Sequence, residues 1–135
     1  ERMSATLAER VTAAVASASG PRAQMEAATL AFFRFVAEQP RLWEVLAFDT
    51  GPFSSDAAAI RRNQNLVVTG LLVAAAQRGG AAADPRRASA LASAVNGAVE
   101  ALARWWHDHE DVAPEELTSL AVRLLLPGLE ELLAA

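Results

Sequence analysis

The densest group of side chains able to do chemistry is Trp105-Trp106-His107-Asp108-His109-Glu110-Asp111. Imidazoles and carboxylates are metal ligands and acid-base groups, so this run raises a metal site first. The spacing opposes it. His107 and His109 stand two positions apart, about 200° around a helix, and cannot face one ion while the helix persists. A histidine in the last turn of a helix is also favoured by the helix dipole without any ligand. No paired catalytic carboxylates, Ser-His-Asp arrangement, P-loop or GxGxxG pattern is discernible. Gly79-Gly80-Ala81-Ala82-Ala83 lacks the lysine and hydroxyl that a phosphate loop uses. The chain has no cysteine, which excludes disulfide scaffolds, thiolate-ligated zinc, thiol enzymes and CxxC redox chemistry. The sequence predicts no catalytic residue, no metal and no cofactor.

What remains is the pattern of a small-molecule site, an apolar cavity with a few polar fixtures. Asn63 and Gln64 lie on a helix that becomes apolar within three residues, where Val67 and Leu71 follow and Thr69 interrupts. Asn96 sits between Val95 and Gly97 in the middle of the next long helix, a poor place for asparagine unless its amide finds partners. Phe33, Trp43, Phe48 and Phe53 supply an aromatic wall, with the turn at Gly51-Pro52 as a pocket mouth or lid. The competing reading makes the amides solvated or paired across a subunit seam, and the aromatics plain core.

The elements that must position these residues are helices. The chain has 135 residues, 53% apolar and 21% charged, enough for one domain with its own core. Alanine makes up about a quarter of it and tyrosine is absent, so intrinsic propensity points to helix, and no strand pattern or internal repeat interrupts. Mean hydropathy is +0.18, but the longest nearly unbroken apolar run, Leu66 to Ala76, falls short of the ~20 residues a membrane span needs. No membrane partner is expected. All 12 basic residues are arginine, against 16 acids, for a net charge of −4, so these residues lack the positive field that phosphate backbones require. The absence of a basic, apolar signal peptide makes a cytoplasmic setting the default.

The spacing predicts about six helices. Met3, Leu7, Val11 and Val15 form a stripe that already runs at Glu1, so the chain is expected to begin inside a helix, truncated at its N-terminus. Gly20-Pro21 ends that helix and opens a second, over 21–39, with Met25, Ala28, Phe32, Phe35 and Val36 on one face. A short helical segment starts at Pro40. The next helix runs from Ser54, Ser55 or Asp56 to Gly79-Gly80 and, apolar nearly all round from Leu66, is expected to be central and buried. Asp84-Pro85 opens a long helix ending near His109, and Pro114-Glu115-Glu116 opens the last, which Pro127-Gly128 should bend or break.

These last two helices carry more apolar surface than a single packing stripe uses. Ala90, Ala94, Gly97, Ala101 and Trp105 line one face of the first, and small residues let helix axes approach closely. On the second, Leu117, Leu120, Leu124 and Gly128 form one arc, while Val122 and Leu126 fall outside it. Together they predict a homodimer through a two-fold four-helix interface. The competing reading is that alanine on exposed faces merely costs little.

The order of elements, with "PRLWEVLAFDTG", "NLVVTGLLVAAAQRGG" before the Asp-Pro-opened helix, and "ARWWHDHEDVAPEELTSLAVRLLLPGLEELL", resembles the C-terminal domain of TetR-family transcriptional repressors. The resemblance implies an all-α antiparallel bundle, a homodimer through the last two helices, and a small, largely apolar effector bound among the earlier ones. It implies that DNA is contacted only by an N-terminal helix-turn-helix head, which these residues do not contain. Effector binding would then release DNA by altering the spacing of the dimer's heads. A ligand-free helical scaffold or partner-binding dimer is the alternative, and a small helical enzyme the weakest.

Overall fold

A computed structural model describes residues 2–39, 41, 44, 54–80 and 84–134. Among them are five helices and no strand: α1 (Arg2–Ala16), α2 (Pro21–Glu38), α3 (Ser54–Arg78), α4 (Pro85–His107) and α5 (Pro114–Ala134). The sixth segment expected from Pro40 lies outside the described residues. No described helix is long and apolar enough to cross a membrane.

Local chemistry sets the ends. Gly20, at φ 88°, and Gly80, at φ 80°, adopt the left-handed conformation that side chains resist. Pro21 and Pro85 occupy the first turns of α2 and α4, where the missing N–H is not needed. The Asp84 carboxylate accepts a hydrogen bond from the Arg86 amide at 3.0 Å, capping α4. In α5, Glu115 and Glu116 sit at the positive end of the dipole. Pro127 does not break this helix, which continues to Ala134. Only the bond from residue 127 back to Arg123 is lost, on an exposed stretch where water can serve the freed carbonyl.

Helix α1 packs on α2 and α3, α2 on α5, and α3 on α4. Burial follows two clusters. Leu7, Val11 and Val15 of α1 meet Phe32, Phe33, Phe35 and Val36 of α2, together with Val99, Ala103 and Trp106 of α4 and Leu117 of α5. The smaller cluster joins Leu72 of α3 to Ala88, Ala92 and Val95 of α4 and Leu129 of α5. Trp106 closes the first from the side: the Phe33 ring stands edge-on to it at 5.8 Å, and its indole N–H donates to the Val112 carbonyl at 2.7 Å. That bond ties the end of α4 to the loop before α5 and satisfies a donor that burial would otherwise strand.

One expectation is corrected here. Helix α3 is not the buried centre: among its described side chains only Leu72 and Ala76 are buried, and Leu66 is 72% exposed. Being apolar nearly all round does not bury a helix whose neighbours cover only part of its circumference. Helix α4 ends at His107, close to the end expected near His109, where the Asp108 and His109 amides turn back to the Trp105 and Trp106 carbonyls.

Candidate functional site

A cavity of about 400 Å³ lies where the two clusters meet. Helix α2 contributes Met25, Ala28, Thr29 and Phe32; α3 contributes Gln64, Val68, Leu71, Leu72 and Ala76; α4 contributes Val95, Asn96 and Val99. Leu126, Leu129, Glu130 and Leu133 of α5 and Val11 of α1 complete most of the wall. The size falls within the ~300–1,000 Å³ usual for small-molecule sites. The half-buried state of α3 has the same cause, since among the described residues one of its faces borders the cavity rather than another helix.

Of the residues the sequence nominates, Gln64, Leu71 and Asn96 line this cavity. Phe33 does not; it is fully buried between Phe32 and Trp106, because α2 turns its Phe32 side to the cavity and its Phe33 side to the core. Asn63 and Val67 are half-buried on α3 beside the lining rather than within it, Val67 packing on the larger cluster. Trp43, Phe48 and Phe53 lie outside the described residues.

The polar fixtures are specific. Asn96 donates through Nδ2 to Oδ1 of Asn65 at 2.6 Å, so one side of the cavity wall is pinned to α3. The Gln64 side-chain carbonyl is buried and has no donor among the described residues. Next to them, Arg61 grips Glu100 with Nε–Oε2 at 2.9 Å and Nη2–Oε1 at 2.6 Å, and Arg104 reaches the same carboxylate at 3.0 Å. The pairs 61–100 and 65–96 run in opposite senses, which makes α3 and α4 antiparallel here.

Met25, Phe32, Leu129 and Leu133 were legible as members of apolar stripes, but a stripe does not distinguish core from cavity wall. Asn65 and the Arg61–Glu100 pair gave no sequence signal beyond polarity, because their partners lie on another helix.

On the outer surface, Ala90, Ala94, Gly97, Ala101 and Trp105 are exposed along one face of α4, and Cβ space at Gly97 is open. On α5, Leu120 is 50% and Leu124 73% exposed, and Gly128 is exposed as well. Leu117 is not on this surface: it is fully buried against Trp106 and α2, where the first turn of α5 is covered by its neighbours. Trp105 carries the His109 ring stacked at 4.0 Å, with His109 Nδ1 2.8 Å from the Trp105 carbonyl. The imidazole is thus tied to its own helix end. Among the described residues, no group of three or more histidine or carboxylate side chains is arranged to hold a metal ion.

A family model described as tetracyclin repressor-like, C-terminal domain, matches residues 21–128. No curated protein matches the chain.

Proposed function

This chain belongs to the tetracyclin repressor-like C-terminal domain family, and on that premise we propose that it is the effector-binding and dimerisation domain of a TetR-type transcriptional repressor. The observation that carries the reading is the cavity of about 400 Å³ lined by all five described helices. An apolar space of this size inside a small bundle forgoes packing that a purely structural domain would use.

The exposed apolar faces of α4 and α5 support a homodimer built from both helices, with Leu124 and Trp105 at its contact. Helix α4 then has two roles on opposite sides. Val95, Asn96 and Val99 face the cavity, while Ala94, Gly97 and Ala101 face outward. An effector that shifts α4 therefore acts on the subunit seam directly. For regulation it must favour the DNA-incompetent arrangement over the competent one, typically by about 1–3 kcal/mol of coupling. In this reading DNA is contacted by a separate helix-turn-helix head in the cytoplasm, and the acidic balance of these residues is consistent with a switch rather than a DNA surface.

Thermal unfolding against a panel of small apolar compounds tests the reading. A true effector at a hundredfold above its Kd adds about 2.7 kcal/mol of stability. The cavity-filling variant Ala28→Trp should remain helical and lose that response. A response unchanged by Ala28→Trp would place the ligand elsewhere, and a panel that moves neither protein favours a ligand-free scaffold.

A further inference from the structure

We propose that the cavity takes a neutral or cationic amphiphile carrying a hydrogen-bond donor, and that it turns away carboxylates and phosphates. This rests on reading the cavity as the effector site and adds the chemical class of the effector.

The argument starts from charge. Among the described residues no arginine or histidine lines the cavity, and the chain has no lysine to offer. Arg10, Arg22, Arg34, Arg61 and Arg104 are committed to carboxylates elsewhere. The stretch 40–53 holds one basic residue, Arg41, which is exposed. The one charged residue in the described lining is acidic, Glu130, on an exposed position. An anion entering such a space surrenders its hydration with no cationic partner to replace it and meets a carboxylate of its own sign. A cation meets the opposite field.

The second part concerns hydrogen bonding. The Gln64 Oε1 atom is closed off from solvent and receives no donor among the described residues, which leaves its desolvation uncompensated. Asn96 donates from Nδ2 to Asn65 and makes no hydrogen bond to Gln64. The terminal torsion of a glutamine is soft, so the carbonyl can turn to a donor arriving in the cavity. Most of the remaining wall, including Met25, Phe32, Leu72 and Leu129, is apolar and suits a hydrocarbon body, with Gln24 and Thr29 as further neutral polar groups.

Isothermal titration calorimetry with 1-decanol, decylamine, methyl decanoate and sodium decanoate at neutral pH, below their micellar concentrations, separates these features on one hydrocarbon tail. Decanol and decylamine are expected to bind at least about tenfold more tightly than decanoate, and decanol more tightly than methyl decanoate, which accepts but does not donate. In Gln64→Leu the advantage of decanol over methyl decanoate should vanish with the helical spectrum intact. In Gln64→Lys decanoate should gain affinity. Decanoate binding as tightly as decanol overturns the proposed class and leaves an effector cavity standing. Equal binding of decanol and methyl decanoate removes the donor requirement. Failure of every compound to bind overturns the effector reading together with this one.

Discussion

Asn96 and Asn65 join α4 to α3 through a single amide hydrogen bond of 2.6 Å, and one turn farther along both helices Arg61 and Glu100 repeat the connection as an ion pair. The two rungs hold the cavity-bearing part of α4 at a fixed distance from α3. They make the cavity wall a polar-pinned surface rather than a loose apolar one.

Replacing Asn96 by leucine strands the Asn65 carbonyl in a half-buried position. The expected loss is about 1–2 kcal/mol, read from urea unfolding. The double variant Asn65→Leu/Asn96→Leu should lose less than the sum of the single changes, because no amide is then left without its partner. Strict additivity would show that the bond contributes nothing.

Glu100 is the more buried member of its cluster and serves two arginines. Glu100→Gln should cost about 1–3 kcal/mol, since Arg61 is left partly desolvated without its countercharge. Arg104→Ala, at the exposed side of the same carboxylate, should cost about 0.5 kcal/mol or less. Equal costs for both variants would mean that the bidentate contact has no special weight.

The exposed leucine on α5 offers a test of assembly. Leu124→Arg and Gly97→Trp should convert a dimer to monomer, or to aggregate, in sedimentation velocity. Leu66→Arg, at an equally exposed leucine on α3, should leave the dimer intact. If Leu66→Arg alone dissociates it, the interface lies on α3 instead.

Acid should weaken the contacts that tie α2 to its neighbours. The hydrogen bond from Arg10 holds Glu38 below the usual carboxylate range, and the hydrogen bond from Arg34 does the same for Glu115. A depressed folded-state pKa gives stability that is complete above the unfolded carboxylate pKa and is lost as pH falls through the folded one. Both carboxylates are solvent-exposed, so the loss should be small and should shrink further in salt. Melting temperatures of Glu38→Gln and Glu115→Gln should therefore fall less steeply than the parent's as pH drops below the ordinary carboxylate range. A parallel fall would remove these pairs from the acid response.

Where the sequence speaks through local chemistry, it specified the molecule closely. Asp84 before Pro85, Gly80 after α3 and Pro114 before two acids act through the few bonds around them, and the helix ends are where those residues stand. The lack of cysteine, lysine and a histidine pair on one helix face likewise bounded the chemistry before any fold was known. The stripes of α2 and α5 were legible as apolar surface too. What they touch was not. Leu117 and Leu124 lie seven residues apart on nearly the same face of one helix, yet the first is buried against Trp106 and the second is 73% exposed. Periodicity fixes the angle at which a side chain leaves its helix but says nothing about which neighbour crosses at that height. Only tertiary packing decides that, and with it which of Phe32 and Phe33 borders the cavity, which asparagine meets Asn96, and where five helices leave a space unfilled.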